Sequence, residues 1–404
     1  MRFSDLNKRL KEDTTRSFQK LNSFKKDPDK DKEQGLPTET KNEIRSDFSK
    51  EIKEKVSEEK ELVSEVQKKE IRFSIKREEK VEDFDEETYM RRTENSYSLL
   101  ISSMKNVIDY IYDSSYLGAL KEIEMLSNLI VDEVTENRYI LNFLRYLTPK
   151  NYIISHSVNL SLIASGISMI MGFDKEFIKR IAISSLCIDL GMLYYKDLFS
   201  LERKLSNEEF EIIKSHVDDS IEIASKIFAF EPELKRFVKK IIERSHERHD
   251  GTGYFGVSGD ELGIEEQIVA ISDVYEALIH KRPWREEFEE AYAVSFIIRE
   301  YQDKFERSVI QRFVKFIGIY PQSSIVRLNT GEIGKVVLNR DQRPTKPIVK
   351  ILTNKDSKTI EPYNLDLLRF PASYIERWVS MKELKVDNPD LYRAEVLNRL
   401  WLWI

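Results

Sequence analysis

The sequence predicts a mainly α protein, in which an all-helical domain follows a charged N-terminal region and precedes a small β extension. Three observations support this prediction. Roughly half of residues 1–95 are charged, apolar residues recur at helical spacing through residues 139–320, and residues 323–370 alternate β-branched and turn residues. At about 150 residues per domain, the 404 residues allow two or three domains.

Residues 1–95 are expected to be largely disordered. Their sparse apolar residues cannot offset an ordering entropy of about 1–2 kcal/mol per residue. Between residues 41 and 70 apolar side chains recur at gaps of four to six residues. A helix that forms only when a partner binds is therefore an alternative to disorder in this segment. This region could therefore act as a linker or bind another protein.

Helical order is predicted from residue 96 onward. Apolar residues from Leu99 to Val131 describe two helices, which could form a hairpin that packs on the next domain or pairs two copies of the chain. Residues 139–322 show successive apolar stripes without strand signals, and they are predicted to form the helical domain. Within it, Ser206 and Glu209 have the spacing of a capping box at a helix start.

The C-terminal part changes character twice. Residues 324–328, 333–338 and 347–352 are predicted to be three strands of a small sheet within residues 323–370. Residues 371–404 are predicted to be an amphipathic helical tail, which ends in Trp401, Trp403 and Ile404. Such an apolar end is expected to be docked on the protein.

Composition excludes several classes of protein. A net charge of −6, from 65 basic and 71 acidic residues, argues against a nucleic-acid binder, which needs a basic face. The single cysteine, Cys187, excludes a disulfide framework and a cysteine zinc site, and it fits a reducing, cytoplasmic compartment. No secretory signal is expected. Residues 152–173 carry no charged side chain, but His156, Asn159 and five serines predict a buried helix and no membrane span.

Histidines are scarce, and their surroundings are informative. The chain has five, which are His156, His216, His246, His249 and His280. Asp189 follows an apolar helix, and Asp273 lies inside the apolar run 268–278, where a carboxylate is costly unless it is paired or coordinates a metal. Each residue also has an ordinary structural explanation. The residues alone therefore predict a helical domain with a His/Asp cluster.

Six ordered segments between residues 139 and 320 resemble the HD-GYP family, the bacterial branch of the HD superfamily of metal-dependent phosphohydrolases. They are His156-Ser157, the run 186–191 around Asp189, the segment 205–216 ending in His216, the loop 246–254, the run 272–278 and the segment 281–285. The resemblance implies a helical HD-type fold, hydrolysis of cyclic di-GMP and bound iron or manganese ions. Some members of the family carry a small β extension like residues 323–370.

The resemblance also carries site residues onto this chain. The metal ligands that it implies are His156, Asp189, His216, His246 and Asp273. If Asp189 bridges two ions, one site would contain His156 and Asp273, and the other would contain His216 and His246, a two-His-one-carboxylate set typical of iron. Asp189 would then also be the catalytic residue. Arg282, Arg285 and Tyr254 match positions that bind substrate, although the two arginines could equally form surface ion pairs.

Four positions depart from the pattern of the family. Ile188 replaces the histidine of the His-Asp pair, Ser245 replaces one histidine of a His-His pair, Met192 replaces a lysine and Phe255 replaces the proline of Gly-Tyr-Pro. The metal site is therefore expected to be weakened, with one ion, two ions or none. His249, one turn beyond His246, could substitute for a lost ligand, or it could face solvent.

Three functions stay open at this point. The first is a degenerate HD-GYP protein that senses cyclic di-GMP or acts as a scaffold, because two ligand positions and the lysine position have changed. The second is an active cyclic di-GMP phosphodiesterase with an atypical metal centre, because five ligand-type residues are retained. The third is a protein-interaction module in which residues 1–95 and the Trp-ended tail are the working parts.

Overall fold

The computed structural model describes residues 84–144, 152–199, 201, 203–281, 285–340, 343–380, 383 and 387. The predictions for residues 1–83 and for the tail from residue 388 onward lie outside these residues. In the described part of the chain, helices dominate up to residue 317 and a single sheet follows. The mainly α prediction is therefore confirmed.

The helices follow one another with short connections. They are α1 (Glu86–Tyr112), α2 (Tyr116–Glu136), α3 (Tyr152–Met171), α4 (Lys175–Cys187), α5 (Lys196–Phe199), α6 (Asn207–Lys214), α7 (His216–Ile227), α8 (Pro232–Arg244), α9 (Ile264–Ile279), α10 (Glu290–Glu300) and α11 (Arg307–Ile317). Short 3₁₀ helices cover Arg138–Phe143, Leu190–Tyr194 and Gly259–Glu261.

Helices α1 and α2 form the predicted hairpin, but α1 begins earlier than expected. We predicted disorder up to residue 95, whereas α1 starts at Glu86, with Asp85 as its N-cap. The first turns are ordered because Phe84, Tyr89 and Met90 pack against the main hydrophobic core. The hairpin contributes to the same core as the rest of the helices, so it is an integral part of the helical body.

Helix α3 is the central helix of that body. By length and composition it could cross a membrane, but 94% of its most apolar 18-residue window is buried inside the protein, as in the core helix of a folded domain. Three of its serines bond to backbone carbonyls, for example Ser161 Oγ to Ala182 O at 3.0 Å. Gly166 allows the Phe316 ring to approach, since an added Cβ would lie 1.8 Å from that ring.

Helix α6 begins with the predicted capping box. The Glu209 N–H donates to Ser206 Oγ at 3.2 Å, and the Ser206 N–H donates to Glu209 Oε2 at 2.8 Å. Arg203 adds two hydrogen bonds of 2.7 Å to the Glu209 carboxylate. These contacts fix the start of α6, whose end leads directly to His216 at the start of α7.

The sheet has five antiparallel strands in the order β4-β3-β2-β1-β5. The strands are β1 (Ile325–Leu328), β2 (Ile333–Leu338), β3 (Ile348–Thr353), β4 (Thr359–Asp366) and β5 (Ile375–Trp378). The predicted strands correspond to β1, β2 and β3, which form the centre of the sheet. A small second core, with Val326, Val336 and Val349 among its members, lies on one face.

Sequence patterns missed the two edge strands. β4 contains Pro362 and is mostly half-buried or exposed, so its residues give no apolar alternation; proline is tolerated on an edge strand. β5 lies in the segment predicted as a helical tail from residue 371. The prediction of helix is wrong for Ile375–Trp378, because β1 offers these residues a free edge, where Val326 pairs with Trp378.

The sheet is attached to the helical body by buried and polar contacts. Val337 and Ile348 belong to the main hydrophobic core. Asn142 Nδ2 donates to Val337 O at 3.0 Å, and Lys350 Nζ lies 3.6 Å from Glu86 Oε2 at the start of α1. The β extension and the helical domain therefore share one packing unit within the described residues.

Candidate metal centre

Five ligand-type side chains converge at the centre of the helical body. His156 comes from α3, Asp189 follows the end of α4, His216 opens α7, His246 follows α8, and Asp273 lies in the middle of α9. These are the residues that the resemblance predicted as ligands. Because they come from five separate segments, their meeting is a property of the fold and not of any short sequence spacing.

Asp189 presents its two oxygens to different histidines. Its Oδ2 lies 3.1 Å from His156 Nε2, and its Oδ1 lies 3.4 Å from His216 Nε2 and 3.9 Å from His246 Nε2. The carboxylate thus stands between two histidine groups. This is the arrangement that a bridging ligand needs.

Asp273 closes the cluster from the opposite side. Its Oδ1 lies 3.5 Å from His156 Nε2, and its Oδ2 lies 3.6 Å from His246 Nδ1. The Nε2 atoms of His216 and His246 are 3.1 Å apart. One ligand atom from each of Asp189, His216 and His246 lies within 4.8 Å of the other two, a spacing that suits one metal ion.

The donor set fits a metal ion. Asp189 Oδ1 and His156 Nε2 are buried, and neither has a well-aligned hydrogen bond in the described part of the chain. Buried polar atoms are costly when left unpaired, so these two atoms point to a missing partner. Two imidazoles and a carboxylate with free coordination positions are typical of iron sites and also suit manganese or zinc.

The backbone around Asp189 is packed tightly against α7. The Gly191 N–H donates to Ser220 Oγ at 2.8 Å, and a Cβ at Gly191 would lie 2.2 Å from the carbonyl oxygen of His216. Only glycine therefore lets the Asp189 turn approach the start of α7. His216 Nδ1 lies 2.7 Å from Ile213 O, and this contact aims Nε2 at Asp189.

Glu276 is a site residue that the sequence reasoning missed. It lies three residues after Asp273 on the same face of α9, it is fully buried, and its Oε2 is 2.5 Å from His156 Nδ1. His280 Nδ1 contacts the other oxygen at 2.8 Å. Because Glu276 holds Nδ1, His156 directs Nε2 into the cluster. The spacing from Asp273 to Glu276 within a buried helix was the available signal.

Burial and pairing set the protonation of these groups. Burial disfavours the charge on His156, but Glu276 and Asp189 outweigh it and raise the pKa of His156 to about 10. Burial would raise the pKa of Asp189, yet His156 and His216 hold that pKa well below its usual range. The pKa of Glu276 is likewise held low against burial by His280 and His156. The carboxylates are therefore ionised, which is the form that binds metal.

The four positions that depart from the family pattern supply no ligand atom to this cluster. The Ile188 side chain is buried in the main core, and Met192 packs against the same core. Ser245 Oγ donates to Ile242 O at 3.0 Å, so the hydroxyl faces the end of its own helix. Phe255 lies at the surface.

The loop after His246 is held by Glu247, another residue not singled out from the sequence. Glu247 Oε1 accepts from the Phe255 N–H at 2.8 Å, and Oε2 accepts from the Val257 N–H at 2.9 Å. The Tyr254 ring stacks on His246 with 4.7 Å between centroids. His249 is half-buried, and its backbone N–H donates to Lys304 O at 2.8 Å. A ligand role for His249 stays a prediction.

The two predicted substrate-binding arginines are Arg282 and Arg285. Arg282 lies outside the described residues. Arg285 donates to the carbonyls of Ala277 at 2.5 Å and Leu278 at 3.2 Å, at the C-terminal end of α9. Its guanidinium also lies 4.9 Å from the centroid of the Phe288 ring. Phosphate binding by Arg285 stays a prediction, and it would require these backbone contacts to be shared or exchanged.

Two regions of the chain match models of known protein families. Residues 145–309 match the model of an HD domain family, and residues 325–387 match a KOW domain associated with HD domains. The chain is 25% identical to the cyclic di-GMP phosphodiesterase PA4108 of Pseudomonas aeruginosa over 299 residues, which cover 72% of this chain and 70% of the relative.

Two further relatives are matched over shorter lengths. The chain is 28% identical over 225 residues to the cyclic di-GMP phosphodiesterase PdeB of Borreliella burgdorferi, covering 54% of this chain and 58% of the relative. It is also 28% identical over 194 residues to a cyclic di-GMP phosphodiesterase of Thermotoga maritima, covering 45% and 51%. The chain thus spans between half and two thirds of these two proteins.

Among solved structures, the chain is similar to Bd1817, a HDG"Y"P protein from Bdellovibrio bacteriovorus. The TM-score is 0.44 and the identity 18%, with 53% of this chain and 69% of that chain covered. The HD-domain match encloses four of the five converging ligand-type residues in its first two thirds and Asp273 in its last third. The chain therefore contains an HD domain, and its phosphodiesterase relatives support the resemblance to the HD-GYP family.

Proposed function

We propose that this chain binds one divalent metal ion through Asp189, His216 and His246, and that it recognises cyclic di-GMP beside the ion as a sensor or scaffold with little hydrolysis. The observation that carries the proposal is the 4.8 Å grouping of the three ligand atoms. Iron or manganese is the expected ion, because two histidines and one carboxylate form a common iron site.

The residues around this group prepare it for a metal. Ile213 O orients His216, the stacked Tyr254 ring orients His246, and Asp189 is held ionised. A bound ion would supply positive charge to hold and polarise a phosphate. Without the ion, the carboxylates of Asp189, Asp273 and Glu276 would repel an anionic ligand, so nucleotide binding should require metal.

Reduced turnover follows from the residues at the changed positions. Hydrolysis by two metals needs both ions about 3.5–4 Å apart, each held firmly. Ile188 contributes an alkyl group where the family has a ligand, and the Ser245 hydroxyl is bonded to Ile242 O. Met192 supplies no positive charge where the phosphoryl oxygens would gain negative charge. Binding of nucleotide should therefore outlast hydrolysis.

The ligand is proposed from the relatives. Three proteins that match 45–72% of this chain are named cyclic di-GMP phosphodiesterases. Cyclic di-GMP is therefore the first nucleotide to test on this chain.

Calorimetric titration of the full chain with cyclic di-GMP, with and without Mn²⁺ or Fe²⁺, tests the proposal. We expect about one ion per chain, nucleotide binding only with the ion, and loss of both in Asp189→Ala. Asp218→Ala, an exposed carboxylate two residues after His216, is the matched control and should behave like the unmodified chain. Absence of ion and nucleotide binding under aerobic and anaerobic conditions would overturn the proposal.

An active phosphodiesterase is the second candidate, and one specific observation favours it. The two oxygens of Asp189 face His156 on one side and His216 and His246 on the other, as a bridge between two ions requires. Product analysis separates the two candidates. Metal-dependent conversion of cyclic di-GMP to linear or mononucleotide products, lost in Asp189→Ala, would establish the enzyme and exclude a sensor without turnover.

A further inference from the structure

Three aromatic rings lead from the metal ligands to the surface, and we name them the aromatic rim: Tyr254, Phe210 and Phe255. Tyr254 stacks on His246 with a centroid distance of 4.7 Å and an interplanar angle of 27°. Phe210 meets Tyr254 edge-on at 5.7 Å, and Phe255 meets it at 6.3 Å. The aromatic rim therefore starts in direct contact with a ligand of the cluster.

The outer two rings are open to solvent although they are held in place. Phe210 is 40% exposed and Phe255 is 58% exposed. The backbone of Phe255 is fixed by Glu247, and Phe210 is fixed by α6 and by its contact with Tyr254. Exposed aromatic surface beside a cluster of polar ligands is typical of a binding site. The surface is preorganised, so little ordering is needed when a ligand covers it.

A lysine lies beside the aromatic rim. Lys214 Nζ lies 5.3 Å from the centroid of Phe210 and 5.5 Å from that of Tyr254. Its side chain is 23% exposed, and its charge is shared with Glu211 Oε1 at 2.7 Å. Lys214 is two residues before the ligand His216. It therefore brings positive charge to the side of the cluster that the aromatic rim occupies, whereas Met192 brings none.

We propose that the aromatic rim and Lys214 form a nucleotide subsite, in which a base stacks on Phe210 and Phe255 and Lys214 binds a phosphate. This inference rests on the proposed function and gives its recognition surface. Every nucleobase offers a face for stacking, so the subsite should select nucleotides over inorganic phosphate without distinguishing guanine from adenine. Discrimination between bases must then come from other contacts.

Calorimetric titration of the full chain loaded with Mn²⁺ tests the subsite, with cyclic di-GMP, cyclic di-AMP and inorganic phosphate as probes. The variants are Phe210→Ala, Phe255→Ala and Lys214→Gln. Matched controls exist in the same chain. Phe230 is 90% exposed away from the rim, and Lys226 also pairs with a glutamate at 2.7 Å beside an aromatic ring, with its Nζ 5.8 Å from the Tyr116 centroid.

Each phenylalanine variant should lower the affinity for both dinucleotides by about five- to hundredfold. Lys214→Gln should lower that affinity by about tenfold and reduce its dependence on salt concentration. Phe230→Ala and Lys226→Gln should bind as the unmodified chain does. Metal content and thermal unfolding are measured on the same samples, and both should be unchanged in the rim variants.

The outcomes separate this inference from the proposed function. If the unmodified chain binds neither dinucleotide, the subsite and the proposed function are both overturned. If it binds them and the Phe210→Ala, Phe255→Ala and Lys214→Gln variants bind equally well, only the subsite is overturned. The subsite is also overturned if a rim variant loses its Mn²⁺ along with the nucleotide, because the effect would then belong to the metal centre.

Discussion

At the scale of the residue, Glu276 orients His156, whose Nε2 lies 3.1 Å from Oδ2 of the proposed ligand Asp189. It holds His156 Nδ1 at 2.5 Å from a fully buried position and contacts His280 as well. Glu276→Gln keeps the volume but removes the charge that orients the imidazole. We expect Mn²⁺ affinity to fall by about 10–100-fold, measured by calorimetry.

The matched control for Glu276 is Glu133→Gln in the hairpin. Glu133 is also a buried carboxylate, and it accepts hydrogen bonds from Ser96 Oγ at 2.7 Å and Asn137 Nδ2 at 2.8 Å. Glu133→Gln should cost stability without affecting Mn²⁺. Equal metal affinity in Glu276→Gln and the unmodified chain would show that His156 needs no such support.

Cys187 gives a second prediction for a single residue. Its thiol is fully buried at the end of α4, and burial raises its pKa to about 12. Because the thiolate is the reactive form, a thiol reagent should not label the folded chain at pH 8. Labelling should follow denaturation with one equivalent per chain. Rapid labelling of the native chain would contradict the buried position.

Some residues of the candidate site could be predicted from the sequence, and others could not. The convergence of five side chains was predicted because histidines are rare and their segments resemble one family; they are His156, Asp189, His216, His246 and Asp273. Glu276 and Glu247 were not, because a glutamate in a chain with 71 acidic residues carries no signal until burial is known. The direction of the Arg285 side chain could not be inferred, since local packing determines it.

At the scale of the element, the start of α6 should respond to acid. The Arg203 side chain and the Ser206 backbone lower the pKa of Glu209 to about 2, below its usual value near 4.5. A lowered pKa stabilises the folded state above about pH 4.5, and this contribution is lost as the pH falls through about 2. The difference in thermal midpoint between the unmodified chain and Glu209→Gln should therefore narrow from pH 6 to pH 3. A constant difference would contradict the capping role.

The contact between α3 and α11 gives another prediction at this scale. A Cβ at Gly166 would overlap the buried Phe316 ring, so Gly166→Ala should destabilise the chain by about 1–3 kcal/mol. Gly118→Ala is the matched control. Its Cβ would meet Tyr110, which is partly exposed and can move, and alanine favours a helix over glycine by about 1 kcal/mol. Denaturant unfolding measures both, and equal effects would refute the tight contact.

Helices and strands could be predicted where apolar residues recur regularly along one face of the element. Helical periodicity identified most of the helices between residues 97 and 300, and alternation identified β1, β2 and β3. β4 and β5 were missed because edge strands bury little and depend on a neighbouring strand for their conformation. The early start of α1 likewise depends on distant partners of Glu86, namely Lys350 and Asn364.

At the scale of the whole molecule, the helical body and the sheet should unfold together. Val337 and Ile348 of the sheet belong to the main core, and Asn142 bonds to Val337 O. A calorimetric scan should show one transition for the described part of the chain, in which helical and sheet signals in circular dichroism are lost at the same temperature. Two separated transitions would show independent domains.

Binding through residues 1–95, pairing of two chains through residues 97–135, and a cytoplasmic location stay predictions. Deleting residues 1–83 leaves the described α1 intact, and pull-down of partners by the two forms would test the first. Sedimentation equilibrium would test the second. Retention of every partner after the deletion would make the N-terminal region a spacer.

The five ligand-type residues lie on segments spread over 118 positions of the chain, from His156 to Asp273. An ion held among them would act as a reversible crosslink between remote parts of the fold. Linkage then makes folding depend on metal supply: at an ion concentration a hundredfold above the dissociation constant, the native state gains about 2.7 kcal/mol. A chelator should lower the thermal midpoint accordingly, so the amount of folded protein would itself report the metal status of its surroundings.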